Sequence, residues 1–253
     1  MSSPASQASL PLTDKSPSKI AGMFDAIAGR YDLLNHVLSY GIDIYWRWRA
    51  VRSLRLTGRE RVLDVCTGTG DLALALARPG RAAAVVGVDF SAAMLRVGID
   101  KVRRFQRASA GGPRRVPMVM ARGDAMRLPL PTGSVAAATV AFGIRNVQEP
   151  AVACAEMLRV LTPGGRIAVL EFALPRLPGF RQFYLWYMRT ILPRIGRFIS
   201  RHQDAYTYLP ESVSAWATPG EFSEILRGSG FVDIRAVPLT FGTVYLYTAA
   251  KPA

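Results

Sequence analysis

The stretch Asp64-Val65-Cys66-Thr67-Gly68-Thr69-Gly70-Asp71 decides how this chain is read. It follows a short apolar run, Arg61 to Val65, and precedes a helical pattern from Leu72 to Ala77. Two glycines between a strand and a helix let the backbone approach a ligand at the helix N-terminus. Ala73 stands where a dinucleotide fingerprint would place its third glycine, which argues against a pyrophosphate cofactor. Further along, the strand–helix alternation repeats. Ala84 to Val88 reads as a second strand closed by Asp89, and Ser91 is placed to cap a helix running to about Arg107. A Gly/Pro/Arg loop at 110–115 leads to strands at Val116 to Met120 and Val135 to Phe142. Ala151 to Leu161 reads as a helix, Pro163-Gly164-Gly165 as a sharp turn, and Arg166 to Phe172 as the fifth strand. After a helix at Glu221 to Gly228, Phe231 to Val237 and Thr243 to Ala249 are the last two strands. The expected fold is α/β, a doubly wound, mostly parallel, seven-stranded sheet covered on both faces. Ahead of it, Ile20, Met23, Phe24, Ile27, Tyr31, Leu34 and Leu38 fall at helical spacing, with Gly41 as a stop and a second helix at Asp43 to Leu54. Residues 20–56 are thus an N-terminal helical cap, and the Ser/Ala/Pro-rich residues 1–19 read as a disordered tail rather than a signal peptide.

Half of the 253 residues are hydrophobic and 20% are charged, enough to bury a full core and to exclude global disorder. Lys+Arg number 32 against 18 Asp+Glu, a net charge of +14, and only Lys15, Lys19, Lys101 and Lys251 are lysine. Such a balance asks for an anionic partner: nucleic acid, a membrane surface or an acidic ligand. A GC-rich genome would produce the same arginine bias. Cys66 and Cys154 are far apart, which offers neither a zinc ribbon nor a disulfide scaffold, and fits a reducing compartment. The longest charge-free stretch, Leu128 to Ile144, contains two Pro and two Gly and is not a spanning helix. The expected location is the cytoplasm.

Ligands of such sheets bind at the C-terminal strand ends, near the switch in strand order. Asp89, about twenty residues past the glycines, can accept both ribose hydroxyls of a nucleoside; the alternative is a helix N-terminal acid. In Gly123-Asp124-Ala125, an acid after strand three can accept from an exocyclic amine; the alternative is an ordinary loop aspartate. A glycine turn and two acids without phosphate-binding equipment point to S-adenosylmethionine (SAM). Asp64 or Asp71 would complement its amino and sulfonium charges, or Asp64 would only orient the glycine loop. The segment Phe180 to His202 interrupts the alternation with Arg181, Arg189, Arg194, Arg197 and Arg201 among bulky apolar residues, and no acid lies between Glu171 and Asp204. It reads as a lid over a greasy tail with contact to an anionic membrane, as an RNA-stacking surface, or as a core helix with one wet face. His36 and His202 read as structural, and Cys66 as a small turn residue.

Several further segments carry a resemblance, and the Phe-Gly-x-Arg-Asn, Leu-Pro-Arg-Ile-Gly and Tyr-x-Tyr-Leu-x-Glu-Ser ones are much narrower than these class-wide features. The segments are Phe24-Asp25 with Arg30-Tyr31-Asp32, Phe142-Gly143-Ile144-Arg145-Asn146, Leu170-Glu171-Phe172, Leu192-Pro193-Arg194-Ile195-Gly196 and Tyr206-Thr207-Tyr208-Leu209-Pro210-Glu211-Ser212. With these, the chain from about Ile20 to Ala250 resembles the UbiE/MenG/Coq5 family of quinone-biosynthesis C-methyltransferases. The resemblance implies SAM-dependent methylation of a ring carbon of a polyprenylated quinol: demethylmenaquinol to menaquinol, the sibling step of ubiquinone synthesis, or both. It implies SAM contacts at Thr69, Asp89, Asp124 and Ala125, to which Asp64, Gly68, Gly70 and Ala141 are added as candidates. The family often has Gly at the place of Thr67 and commonly Ser at the place of Ala141, so any contact at Ala141 must come from backbone. Arg145 would stabilise a quinolate or position a water, or else brace its loop through a salt bridge. Asn146 would orient the same hydroxyl or water, and Tyr31 would close over the donor or only pack. No metal is expected. Residues 176–215 would form the substrate lid facing the membrane. The alternatives are a methyltransferase for another small aromatic or polyketide, and an RNA-modifying protein. Nucleic acid is not the expected partner, since a SAM site needs acids, and a homodimer is left open.

Overall fold

The computed structural model describes residues 17–78, 81–108, 116–191, 194 and 204–253. The loop at 110–115, most of the tail, His202 and, apart from Arg194, the Leu192 to Gly196 motif lie outside them. A seven-stranded sheet in the order β3-β2-β1-β4-β5-β7-β6 forms the core. Its strands are β1 (Arg61–Val65), β2 (Ala84–Asp89), β3 (Met118–Arg122), β4 (Val135–Ala141), β5 (Leu161–Phe172), β6 (Val232–Leu239) and β7 (Val244–Ala250). The first five pair in parallel, and β7 runs antiparallel between β5 and β6. Parallel strands covered on both faces are mostly apolar, and Val62 to Val65 and Ala137 to Val140 are all buried, with Asp64 and Thr139 as their hydrogen-bonded polar members. The strand order reverses between β1 and β4, so a crevice opens at their C-terminal ends.

Helices α3 (Ile42–Ser53), α4 (Asp71–Leu76) and α5 (Ala92–Ala108) cover one face, with Trp46, Ala50, Leu76 and Val102 packed against Val62, Val85 and Leu246. Helices α6 (Pro150–Val160) and α9 (Pro219–Gly228) cover the other, with Met157 and Phe222 against Leu63, Val169 and Tyr247. Ser91 does cap α5, its hydroxyl accepting from Met94 N at 3.1 Å. A third cluster lies outside the sheet. Ile27 and Leu34 from the N-terminal helices meet Met94 of α5, Met188 and Val213. It joins α1 (Pro17–Ile27) and α2 (Tyr31–Leu38) to α7 (Pro178–Trp186), the π-helical turn Tyr187–Ile191 and α8 (Asp204–Ser214). No described helix is long and apolar enough to cross a membrane.

Three local expectations change. The helix read as continuous from Ile20 to Leu38 starts at Pro17 and breaks into a 3-10 turn at Ala28–Arg30, where Gly29 weakens helix propensity by about 1 kcal/mol. Strand β3 begins at Met118 rather than Val116, because Pro117 has no N–H to give the ladder; its carbonyl still accepts from Val85 N. Pro163-Gly164-Gly165 is an irregularity inside β5 rather than a turn before it: Leu161 already pairs with Val135, and pairing resumes at Arg166 with Ala137.

Candidate active site

The turn after β1 is fixed by buried polar contacts. Asp64 is 1% exposed, and its two carboxylate oxygens accept from the hydroxyls of Thr67 and Thr139, each at 2.6 Å. Burial pushes its carboxyl up to about 6, against the lowering effect of the two hydroxyls. Cys66 then takes a left-handed φ of 52°, and Gly70 caps α4 at φ 84°, a conformation glycine adopts without steric cost. Burial drives the Cys66 thiol well above its ordinary range, so it stays protonated and is no nucleophile. Across the crevice, Gly143 follows β4, and a Cβ there would lie 2.3 Å from Cys66 Cβ. Only glycine lets the two turns come this close.

The strand ends open onto a cleft with about 780 Å³ of empty space, part of it open to solvent. Gly68, Asp89, Asp124, Ala125, Ala141 and Asn146 line it from the sheet side. Ile20, Phe24 and Tyr31 line it from the N-terminal cap. Asp89 Oδ2 accepts from Gly68 N at 2.7 Å and Oδ1 from Ser91 N at 2.8 Å, while burial raises its carboxyl pKa. Asp124 Oδ1 accepts from Met126 N at 2.8 Å. A second chamber, about 1020 Å³, lies between the cap and α7 and is lined by Leu34, Trp46, Arg145, Phe172, Tyr184 and Tyr208 among others. The two cavities share Phe24, Tyr31 and Phe142 as a common wall. Phe142, at φ 60°, stacks on Phe172 with ring centroids 4.5 Å apart, and Trp46 packs edge-on against both.

Arg145 belongs to the chamber, not to the first cleft. It is 5% exposed, and its Nη1 donates to Glu171 Oε1 at 2.7 Å and to the Phe142 carbonyl at 2.6 Å. Its Nε lies 3.3 Å from Ser212 Oγ, and its guanidinium sits 5.4 Å from the Phe172 ring centroid. No described residue accepts from Nη2. Asn146 Oδ1 accepts from Tyr208 OH at 3.0 Å, so this pair spans both cavities. Burial raises the hydroxyl pKa of Tyr31 and of Tyr208, leaving both as donors at neutral pH.

Three candidates stand elsewhere. Asp64 and Thr69 border a smaller cavity behind the glycine turn, with Arg47 and Asp71. Asp64 spends both oxygens on threonine hydroxyls, which is the loop-holding role. Thr69 is 2% exposed and donates its hydroxyl to Asp32 of α2 rather than into the cleft. Gly70 lines no described cavity; a Cβ there would meet Met120 Cε at 3.2 Å. Asp71 is committed to Lys101 and Arg47.

The model of the ubiE/COQ5 methyltransferase family matches residues 12–251. The chain belongs to this family. The methyltransferase is 46% identical over 229 residues to the ubiquinone/menaquinone biosynthesis C-methyltransferase UbiE of Syntrophotalea carbinolica, covering 90% of this chain and 92% of that one. It is 41% identical over 239 residues to the demethylmenaquinone methyltransferase of Clavibacter sepedonicus, covering 94% and 93%. Among solved structures, the [4+2]-cyclase SpnF matches with a TM-score of 0.63 at 21% identity, over 94% of this chain and 97% of that one. A SAM-dependent methyltransferase from Thermotoga maritima matches with a TM-score of 0.62 at 17% identity, over 92% and 99%. These structural likenesses concern the fold alone.

Two acids, Asp25 and Asp32, hold the methyltransferase's cap, and spacing assigns a role to neither. Asp25 of α1 accepts from the Ser91 hydroxyl and from Ala93 N at the start of α5. Asp32 of α2 accepts from Thr69 and, at 2.7 Å, from Lys101 Nζ, which also reaches Asp71. Glu171, fully buried, and Ser212 hold Arg145 in the same unassigned way. The available signal was the scarcity of acids: with 18 in 253 residues, an acid inside an apolar run is conspicuous. Partners 26 to 69 positions away cannot be read from spacing.

Proposed function

We propose that the enzyme transfers the methyl group of SAM to a ring carbon of a polyprenylated quinol, forming menaquinol from demethylmenaquinol, the corresponding benzoquinol of ubiquinone synthesis, or both. The observation that carries this reading is the meeting of a nucleoside-type cleft and a large apolar chamber at one wall, Phe24, Tyr31 and Phe142. A donor and a greasy acceptor can face each other only there.

The cleft fits SAM by the chemistry of its donor set. Each oxygen of Asp89 accepts one backbone N–H, which leaves lone pairs for two ribose hydroxyls. Asp124 and Ala125 line the same cleft and would take an adenine edge, and Gly68 would allow close backbone approach. When bound, SAM supplies a methyl group on a positively charged sulfur. The chain's own residues then have three tasks: align the acceptor carbon, exclude water, and help a ring hydroxyl lose its proton. Aromatic rings of the chamber wall hold a planar quinol and keep water out. Arg145 is permanently charged and cannot be the base; its Nη2 would hold a developing quinolate oxygen, with Glu171 and Phe142 fixing the guanidinium plane. Asn146, oriented by Tyr208, holds the same oxygen from the cleft side. Asp43 also lines the chamber. Burial pushes its carboxyl up, but Ser39, Arg47 and His36 outweigh this and hold it below its ordinary value, so it stays ionised.

Calorimetry with SAM tests the cleft: Asp89→Ala is expected to abolish binding, and unchanged affinity would overturn the assignment. Arg145→Lys keeps the charge but loses the planar fork. It is expected to retain SAM binding and lose turnover on demethylmenaquinol by roughly 10²-fold. Parent-like turnover would remove Arg145 from the chemistry.

A further inference from the structure

Large apolar side chains stand exposed on three separate elements around the chamber. The α2–α3 corner exposes Tyr40 (79%), Ile44 (60%), Tyr45 and Trp48; α7 exposes Phe183 and Trp186; the turn Thr240–Gly242 exposes Phe241 (71%). The rings of α7 and of the Thr240–Gly242 turn form one run, and two hydrogen bonds tie these elements to the corner. Phe241 packs on Phe180 with ring centroids 5.3 Å apart, Phe180 on Phe183 at 6.5 Å, and Phe183 on Trp186 at 5.8 Å. Tyr187 OH donates to the Leu38 carbonyl at 3.2 Å, and Trp46 Nε1 to Thr240 Oγ1 at 2.8 Å, which ties α7 and the turn to the corner. Tyr184 and Tyr187 point the other way and line the chamber, as Trp46 does from α3. The patch is therefore the outer side of the chamber wall. Exposed large apolar side chains on three elements around one chamber mark an interaction site rather than ordinary surface.

The charges around it have one sign. Arg49 and Arg52 lie over the Tyr45 and Trp48 rings, 5.8 and 5.2 Å from the centroids, and Arg181 and Arg189 are exposed on α7 and the turn after it. Residues 177–191 and 240–243 contain no acid, and Asp43, the acid of α3, is buried against Arg47. We propose that this face seats on an anionic lipid surface, with the aromatic rings below the headgroups, the arginines at phosphate depth, and the chamber directly behind. Tyrosine and tryptophan place an apolar body and a polar tip at such a boundary, and arginine buries its stem while its head stays at the phosphates. A second copy of the chain is the poorer occupant, because a symmetric contact would bring these arginines together with no acid to meet them. The proposal rests on the quinol reading for its purpose, since a polyprenylated acceptor resides in the bilayer and the chamber would take its ring from there.

The test uses the full chain and vesicle flotation on phosphatidylcholine with and without phosphatidylglycerol. The expected result is retention on the anionic vesicles at low salt, release at high salt, and little binding to the neutral ones. The surface variant Tyr45→Ser/Trp48→Ser/Trp186→Ser is expected to lose vesicle affinity by about tenfold or more, with its melting temperature near the parent's. It should methylate a short-chain, water-soluble quinol like the parent and fail on a long-chain quinol embedded in the vesicles. Absence of parent binding to anionic vesicles, or parent-like binding by the variant, would overturn the proposal. A dimer in the parent that becomes a monomer in the variant would also overturn it, assigning the patch to a second copy. Failure of both proteins on the short-chain quinol would count against the quinol reading and leave the lipid result standing by itself.

Discussion

Replacing Gly143 with alanine probes the close approach on which the site depends. The added methyl would lie 2.3 Å from Cys66 Cβ, 3.2 Å from its Sγ and 3.6 Å from its carbonyl oxygen. Non-bonded carbons rest at about 3.5–4.0 Å, so one turn must retreat by about 1 Å or more. Neither turn yields readily. Cys66 sits at φ 52° between buried Val65 and Thr67, and Gly143 sits between Phe142, at φ 60°, and the fully buried Ile144. Overpacking costs about 1–3 kcal/mol, and a clash between two backbone-fixed atoms belongs at the upper end. At about 2–4 °C per kcal/mol for a chain of this size, the melting temperature should fall by roughly 6–12 °C. Arg145 and Asn146 follow directly, and a displacement of about 1 Å at reacting groups lowers turnover on the order of 10²-fold. Cys66→Gly removes the opposing Cβ and also a left-handed penalty of about 1–2 kcal/mol. The double variant Cys66→Gly/Gly143→Ala should therefore regain most of the melting temperature and turnover. Thermal melts and steady-state methyl transfer on all four proteins complete the cycle. The reasoning fails if Gly143→Ala behaves like the parent, or if its loss is the same in both Cys66 backgrounds.

Glu171→Ala leaves Arg145 charged and buried, and denaturant unfolding should report a loss of about 3–5 kcal/mol; a shift under about 1 kcal/mol would contradict a buried ion pair. Asp32→Asn weakens the tie from α2 to Thr69 and Lys101, so the SAM dissociation constant measured by calorimetry should rise by about tenfold, and an unchanged value would deny the cap a part in holding the donor. The Asp64 carboxyl is raised from 3.8 to about 6 in the fold, so the native state holds its proton more tightly than the unfolded chain. Stability from this group is present at low pH and is lost as pH rises through about 4 to 6. The parent should therefore lose roughly 2.4 kcal/mol relative to Asp64→Asn between pH 4 and 7.5. A constant difference across that range would show that Asp64 is not held in this way.

Strand positions were legible because parallel strands buried on both faces are mostly apolar, as at Val62 to Val65 and Ala137 to Val140 apart from Asp64 and Thr139, and because glycine turns and acids mark their ends. The break at Ala28–Arg30 was not, because Ile27, Tyr31 and Leu34 keep helical spacing across it. Asp89 and Asp124 could be placed since one closes and the other follows a strand whose end faces the crevice. Asp64 and Thr69 could not be separated from them by position. Their side chains turn toward Thr139 on β4 and Asp32 on the cap, contacts 75 and 37 residues away. Arg145 braces its loop through Glu171, as a salt bridge reading expects, and its side chain also borders the chamber. The aromatic wall was half visible. Phe142 and Phe172 close their strands in sequence, but only the parallel pairing of β4 with β5 stacks their rings.

Mass spectrometry of quinols incubated with the purified enzyme and SAM carrying an isotopically labelled methyl group tests the central claim most directly. The account predicts one labelled methyl on a ring carbon of the polyprenylated quinol, its appearance lost with Asp89→Ala. Label on a quinol oxygen, or none on the quinol while SAM binds normally, would contradict it.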